Sequence, residues 1–182
     1  INSSTKNRYW FIKKNDVGES YLSKIKKIQN KLIRDKIDLI LITAPENLCW
    51  VLNLRGMDGK YSPLVNGYLI ISKSNKKYLF LKKDYNGEIK SKLNGIKVLG
   101  REKMSSFLKN LTNKKIRIDS LSCSVYFKQI LNHNNVIIEK PDYTYLLKSQ
   151  KNSTEIRNIK KSHIIDGVAL TKFLIWLRDN YN

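Results

Sequence analysis

The stretch Thr43–Pro63, TAPENLCWVLNLRGMDGKYSP, decides the fold class because a helical pattern gives way abruptly to a glycine-punctuated loop. Thr43 followed three residues later by Glu46 has capping-box spacing, which predicts that a helix begins here with Thr43 as its N-cap. Pro45 would fall in the first turn, where its missing N–H costs nothing. The apolar positions of this helix recur at helical spacing: Leu48, Val51 and Leu52.

On the N-terminal side of this stretch, the sequence predicts a strand preceded by an amphipathic helix. Residues 38–43, DLILIT, are almost continuously apolar, which is typical of a strand buried on both faces. A helix is predicted over residues 19–36. Its predicted apolar stripe consists of Tyr21, Ile25, Ile28, Leu32 and Ile33, and its predicted polar remainder carries Lys24, Lys26, Lys27 and Lys31.

On the C-terminal side, strands and helices alternate. Residues 65–72 and 77–81 predict two strands that pair as a hairpin through a turn at 73–76. Further strands are predicted at 95–99, 115–119 and 136–138, and helices at 85–93, 102–111 and 124–131. This alternation indicates an α/β fold, a mixed sheet of about six strands flanked by helices.

The pattern divides the chain into three parts. Residues 1–17 are predicted to be a lead-in linker, in which the apolar run at 9–12 lies across another surface, and residues 18–149 form the α/β domain. Residues 150–182 carry one long predicted helix, about 153–179, with two apolar stripes. Since a helix that is apolar on two sides needs cover on both, this helix is expected to be the first of a following domain, from which the sequence is truncated.

The net charge of +20 favours contact with phosphates and keeps a nucleic-acid-binding module as an alternative function. However, 28 of the 35 basic residues are lysine, whereas bidentate recognition of phosphates and bases favours arginine. The lysines are also scattered along the whole sequence. We therefore interpret the charge as a solvated basic surface and expect no specific nucleic-acid partner.

The sequence also predicts the compartment. It shows no leader pattern and no apolar run of roughly 18 residues, so we expect neither a membrane segment nor secretion. Cys49 and Cys123 lie far apart in apolar contexts, which favours two reduced thiols over a disulfide. These features predict a cytoplasmic protein.

Four ordered segments together resemble the middle portion of cytosolic-type, three-domain Xaa-Pro aminopeptidases (aminopeptidase P) of the creatinase/prolidase superfamily. Two lie early in the chain: GESYLSKIKKI and ITAPENLCWVLNLRGMDGKYSP, the latter similar to the family pattern T-x-x-x-x-I-x-W-L-x-N-x-R-G-x-D-x-x-x-x-P. The third is the strand YLIIS. The fourth, KNSTEIRNIKKSHIIDGVALTKFLIWL, resembles the segment that leads into the catalytic domain of these enzymes.

The resemblance implies a non-catalytic creatinase-type N-terminal domain, followed by the first helix of a "pita-bread" catalytic domain. In such enzymes two Asp, one His and two Glu hold two divalent metal ions, manganese or similar, and a metal-bound hydroxide attacks Xaa-Pro bonds. The implied partners are the missing catalytic domain, a second copy in a homodimer, and short peptides with proline at position 2. The chain alone is expected to be inactive, with neither a catalytic residue nor a cofactor of its own. A stand-alone, non-catalytic interaction domain remains an alternative.

Four residues are candidates for a substrate-access or subunit-contact loop. Arg55 could meet a carboxylate of a short peptide, because its planar fork suits bidentate contact. The alternative is structural: an ion pair between Arg55 and Asp58, with Gly56 and Gly59 at positive φ. Trp50 and Tyr61 could form an apolar wall, although Trp50 also suits the core.

The sequence offers no metal or nucleophile constellation. His133 and His163 are the only histidines, and neither has carboxylates at ligand spacing, so we expect surface or packing roles for both. Cys49, beside Trp50 on a helix, is expected to be a buried small hydrophobe.

Overall fold

The computed structural model describes residues 9–82 and 86–181, and a six-stranded mixed sheet forms the centre of this part of the chain. The strand order is β6-β5-β4-β2-β7-β8, with bounds β2 (Leu39–Ile42), β4 (Tyr68–Ser72), β5 (Lys77–Leu81), β6 (Lys97–Gly100), β7 (Lys115–Ile118) and β8 (Val136–Glu139). Only β4 runs antiparallel to its neighbours, β2 and β5. The prediction of a mixed sheet flanked by helices is confirmed.

Helices cover both faces of this sheet. Their bounds are α1 (Lys14–Val17), α2 (Tyr21–Arg34), α3 (Pro45–Leu52), α4 (Asn86–Lys92), α5 (Met104–Lys109), α6 (Val125–Asn132), α7 (Tyr143–Ser149) and α8 (Ser153–Asn180), and a 3-10 helix, Arg101–Lys103, precedes α5. The predicted helices at 85–93, 102–111 and 124–131 are thus confirmed, except that Tyr85 lies outside the described residues. No described helix has an apolar stretch long enough to cross a membrane.

Alternation along the strands creates two hydrophobic cores, one on each face of the sheet. Ile40 and Ile42 of β2 point into the core that α2 and α3 close, where Ile28 and Leu48 are fully buried. Leu39 and Leu41 point into the opposite core, which α5 and α6 close. The continuous apolar run of β2 is therefore explained by burial on both sides, as predicted.

The predicted hairpin of β4 and β5 is confirmed. The two strands pair with Tyr68 opposite Phe80 and Ile70 opposite Tyr78. At the turn, Ser72 N–H donates to the Lys76 carbonyl at 2.9 Å, and Asn75 adopts a left-handed conformation, which asparagine tolerates better than most residues.

The predicted N-cap of α3 is wrong. Ala44, not Thr43, occupies the N-cap position, and no side chain caps this helix end. Thr43 lies at the carboxyl end of β2, where its hydroxyl bonds the Ser122 hydroxyl from the loop after β7, at 2.8 Å. The Thr43 hydroxyl, expected to cap α3, is therefore engaged by the end of the neighbouring strand. Pro45 does occupy the first turn, as predicted.

Two assignments on the face of α2 are also wrong. Ile33, predicted for the apolar stripe, is 57% exposed, whereas Lys24, predicted for the polar remainder, is only 1% exposed. Lys24 lies three residues after Tyr21 and four before Ile28, which places it on the buried side of the helix.

Two features were not predicted from the sequence. The segment around residues 141–152 contains α7, whose N-cap Asp142 accepts a hydrogen bond from the Thr144 N–H. A second, two-stranded sheet pairs β1 (Tyr9–Phe11) with β3 (Leu54–Gly56). The latter pairing confirms that the apolar run at 9–12 lies across another surface and identifies that surface as the strand after α3.

Helix α8 begins with a complete capping box. Asn152 Oδ1 accepts from the Glu155 N–H at 3.0 Å, and Glu155 Oε2 accepts from the Asn152 N–H at 2.9 Å. The same Asn152 donates to the Val17 carbonyl at the end of α1, and Asn158 donates to the Asp16 carbonyl. The start of α8 is therefore fastened to α1.

Gly18 is expected to be essential to this junction. Its φ of +74° suits glycine, and an added Cβ would lie 2.5 Å from Asn152 Oδ1 and 2.9 Å from Thr154 Cβ. We expect Gly18→Ala to lower the free energy of unfolding by about 2 kcal/mol, through backbone strain and a disrupted capping box. Urea unfolding measures this loss. Gly87→Ala is the control, because its Cβ would meet no atom within 4 Å. An equal response of both variants would contradict the assignment.

Candidate functional site

The candidate loop, residues 53–63, begins where α3 ends. Asn53 takes the left-handed conformation (φ 52°) at the C-cap, and its N–H lies within bonding distance of the carbonyls of Cys49 and Trp50. A left-handed residue at this position turns the chain sharply out of the helix. The chain then enters β3, where Arg55 lies opposite Trp10 of β1.

Arg55 binds the end of the helix that precedes it. Its Nη1 donates to the carbonyl of Cys49 at 3.1 Å and to that of Leu54 at 2.8 Å. A guanidinium close to the last carbonyls of a helix complements the helix dipole. Arg55 is half-buried and thereby fixes the direction in which the loop leaves α3.

Asp58 closes the loop from the other side. Its Oδ2 accepts from the Asn66 N–H at 2.8 Å, its own N–H donates to the Leu64 carbonyl, and Lys82 Nζ lies 3.8 Å from Oδ1. The structural alternative, an ion pair between Arg55 and Asp58, is therefore wrong, because the two side chains bind different partners. The expected positive φ at Gly56 and Gly59 is likewise wrong, since the left-handed glycines of the described chain are Gly18 and Gly95.

Tyr61 and Trp50 occupy different surroundings. Tyr61 is 87% exposed near the tip of the loop, with Lys60 Nζ 5.1 Å from its ring centroid. Trp50 is half-buried on α3 and packs against the core around α2. The structure therefore presents Tyr61 to solvent, while Trp50 supports the base of the loop.

Lys24 is the residue of this site that the sequence interpretation missed. Its ammonium group lies 4.0 Å from the Trp50 ring centroid, 2.9 Å from the Trp50 carbonyl and 2.6 Å from Asn53 Oδ1. Burial lowers the pKa of Lys24 to about 8, while the carboxylates of Glu155 and Glu19 oppose the shift. Since it bonds both Trp50 and the left-handed Asn53, Lys24 positions the start of the loop.

The described residues contain no set of three or more His, Cys, Asp or Glu side chains that could hold a metal ion. His133 and His163 are both exposed. This agrees with the surface roles predicted for them.

The thiols of Cys49 and Cys123 are both free. Cys49 is buried, and its Sγ accepts from the Val65 N–H at 3.2 Å. Burial raises the pKa of Cys49, and burial together with Asp119 raises the pKa of Cys123 to about 11. The thiolate, which is the reactive form, is therefore scarce at neutral pH.

This predicts slow alkylation of both thiols. At pH 8 native Cys123 is expected to react with iodoacetamide about 100-fold more slowly than free cysteine, because so little thiolate is present. Cys49 is also expected to react more slowly than free cysteine, because its thiol is buried. Mass spectrometry of labelled peptides measures each site separately. The same protein in concentrated urea is the control and should label at the rate of a free thiol. Fast labelling of native Cys49 would show that the thiol is accessible and contradict the assignment.

The second element of the site is the uncovered surface of α8. No residue of this helix is buried. Eleven large apolar side chains on it are 38–69% exposed: Ile156, Ile159, Ile164, Ile165, Val168, Leu170, Phe173, Leu174, Ile175, Trp176 and Leu177. An exposed apolar surface of this extent marks an interaction surface.

The fold and site define a class of protein: an α/β domain with a mixed six-stranded sheet, a loop held by Arg55 and Asp58, and an uncovered C-terminal helix. The model of the Creatinase/Prolidase N-terminal domain matches residues 2–155, and the chain belongs to this family. The predicted membership of the creatinase/prolidase superfamily is therefore confirmed.

Relatives and solved structures agree with this assignment. The chain is 30% identical over 177 residues to Xaa-Pro aminopeptidase 1 of Dictyostelium discoideum and 28% identical over 184 residues to Xaa-Pro aminopeptidase ApepP of Drosophila melanogaster. These matches cover 96% and 98% of the chain, but only 28% and 30% of the relatives. The chain thus spans less than a third of the length of either protein.

Among solved structures, the X-prolyl aminopeptidase of Caenorhabditis elegans, described as a cytosolic enzyme with a di-nuclear active site, shares the fold with a TM-score of 0.82 at 20% identity. The match covers 95% of this chain and 29% of that one. The prolidase of Pyrococcus horikoshii matches 82% of the chain and 41% of its own length, with a TM-score of 0.59 at 25% identity.

Proposed function

We propose that this chain is the non-catalytic α/β domain of a metal-dependent Xaa-Pro aminopeptidase, an enzyme that releases the N-terminal residue from peptides with proline at position 2. In this proposal, residues 150–182 form the first helix of the catalytic domain, and that domain binds the two divalent metal ions. The whole protein acts in the cytoplasm as a homodimer. The names of the relatives support the substrate class.

The exposed apolar surface of α8 carries the proposal. A helix of 28 residues with eleven exposed large apolar side chains would be poorly soluble if nothing covered it. Its N-terminal end is fastened to α1 through Asn152 and Asn158, while residues 159–180 are all exposed. A following domain that packs along α8 would bury this surface and remain attached to the α/β domain.

The loop at residues 53–63 is proposed to shape access to the catalytic centre. Lys24 and Arg55 fix the first residues of the loop, and Asp58 fixes the segment that leads back to the sheet. Tyr61 therefore projects from a loop whose two ends are held in place. An exposed tyrosine on a braced loop can contact a short peptide with little loss of side-chain entropy. Arg55 acts as a positioning residue, because its guanidinium already binds two carbonyls.

The experiment compares the 182-residue chain with the gene product extended through its downstream sequence. We expect no release of the N-terminal residue from an Xaa-Pro peptide by the chain, with or without Mn²⁺, and Mn²⁺-dependent release by the extended protein. Cleavage by the chain alone, or none by a folded extended protein that binds Mn²⁺, would refute the proposal.

A substitution in the extended protein tests the role of the loop. Tyr61→Ala should raise KM about fivefold. Tyr126→Ala, which removes an exposed tyrosine of α6, is the matched control. Equal KM values for the two variants would refute the access role of the loop.

A further inference from the structure

A cavity of about 280 Å³ opens between the sheet and α5. Leu39 and Ile70 line it from the sheet, Tyr78 lines it from β5, and Phe107 and Leu111 line it from α5 and the residues that follow. The Tyr78 and Phe107 rings pack against each other with centroids 4.6 Å apart. The interior of the cavity is therefore apolar and held by packed aromatic side chains.

The mouth of this cavity is cationic. Lys73, Lys76 and Lys114 line it together with a single carboxylate, Asp38. Asp38 already has partners, because Lys73 Nζ lies 2.8 Å from its Oδ1 and the Lys115 N–H donates to its Oδ2 at 2.7 Å. These contacts lower the pKa of Asp38, with the backbone hydrogen bond from Lys115 as the main cause.

Two ammonium groups at the mouth form no direct ion pair, although the charge of one of them, Lys114, helps to lower the pKa of Asp38. Within residues 9–82 and 86–181, neither Lys76 nor Lys114 takes part in an ion pair. An apolar interior whose entrance carries three lysines and one carboxylate is complementary to a molecule with an apolar body and one anionic end. Lysine suits such an end because it acts as a mobile point charge and requires no fixed planar geometry.

We propose that this cavity binds a small amphiphilic carboxylate. At the packing density of protein interiors, its volume holds roughly ten non-hydrogen atoms, the size of a medium-chain fatty acid. The apolar body lies against Leu39, Ile70 and Phe107, and the carboxylate lies between Lys76 and Lys114.

This site is separate from the candidate loop. The cavity lies on the face of the sheet that α5 and α6 cover, whereas α3, from which the loop departs, packs on the opposite face. The inference therefore does not rest on the proposed peptidase function.

Amide-resolved NMR titration of the protein with octanoate, below its micelle concentration, tests the proposal. Four probes separate the contributions: octanoate, acetate for the charge alone, octanamide for the apolar body alone, and octylammonium for the opposite charge. We expect octanoate to shift the amides of Leu39, Ile70 and Leu111 and to bind about tenfold more tightly than the other three. Equal affinity for octanamide, shifts confined to α8, or no binding would overturn the proposal.

Variants locate the site. K76E/K114E is expected to weaken octanoate binding about tenfold, because two attractive charges become repulsive. The matched control K26E/K90E makes the same change of net charge with two exposed lysines of α2 and α4, on the other face of the sheet, and should alter affinity by less than about twofold. A second variant tests the apolar interior: L111W should fill the cavity and abolish octanoate binding. The site would be refuted if both charge variants weakened octanoate binding equally, or if L111W bound octanoate with unchanged affinity.

Discussion

Lys24→Ala is expected to lower the free energy of unfolding by about 3 kcal/mol, and the loss should grow above pH 8. The substitution leaves the Trp50 carbonyl and Asn53 Oδ1 without their donor in a region closed to water, and it removes the cation from the Trp50 ring. Relief from burying an ammonium group offsets part of this cost, so the expected value lies below the sum of the lost contacts.

The pH dependence follows from the lowered pKa. Burial shifts the pKa of Lys24 from its ordinary value of 10.5 to about 8. Between these two values the unfolded chain holds a proton that the folded chain has released, so the stability contributed by Lys24 rises with pH. The difference in free energy of unfolding between wild type and Lys24→Ala should therefore increase by about 3 kcal/mol from pH 8 to pH 10.5.

Urea unfolding at several pH values measures both effects. Lys26→Ala is the control, because Lys26 lies two residues further along the same helix on its exposed side. That variant should change stability by less than about 0.5 kcal/mol at every pH. A difference between wild type and Lys24→Ala that stays constant, or falls, above pH 8 would contradict the assignment of the buried amine.

Phe80→Ala is expected to lower the free energy of unfolding by about 4 kcal/mol, the largest effect expected at neutral pH of the single substitutions considered for this fold. Phe80 is completely buried in β5 and lies with its ring centroid 5.3 Å from that of Phe107. Removal of the ring leaves a cavity beneath α5, because the flanking strands β4 and β6 are hydrogen-bonded and cannot close around it.

Denaturant unfolding with an unchanged m-value is the appropriate measurement, since a changed m-value would indicate an altered unfolded or native ensemble. Phe80→Leu keeps most of the volume and should lose less than half as much stability. Tyr126→Ala removes a ring of similar size from an exposed position of α6 and should be close to neutral. A loss below about 2 kcal/mol for Phe80→Ala would show that the core can collapse around the vacancy.

The sheet was predictable from the sequence because its signals are local. The apolar run of β2 and the two runs of β4 and β5 around a Lys-Ser-Asn-Lys turn each indicate a strand within fewer than ten residues. By contrast, β1 and β3 have three residues each and pair across more than forty positions. Strands this short have no recognisable period, so only the folded chain reveals their pairing.

The site was less predictable because its side chains bind backbone groups that exist only after folding. An ion pair between Arg55 and Asp58 was one of the two alternatives, yet each residue binds backbone groups whose positions depend on how α3 and the loop are folded. Arg55 binds the carbonyls of Cys49 and Leu54, and Asp58 binds the Asn66 N–H. Lys24 was misplaced for the same reason, since its acceptors arise from the left-handed turn at Asn53. Its spacing from Tyr21 and Ile28 was the one signal that could have revealed its burial.

The hydrogen bonds that hold the N-terminal end of α8 to α1 have a mechanical consequence. A straight helix of 28 residues is about 42 Å long, so a tilt of only 10° at its root would displace its tip by about 7 Å. The position of any group that packs on the C-terminal half of α8 is therefore set by a few atoms around Gly18 and Asn152, at the opposite end of the helix.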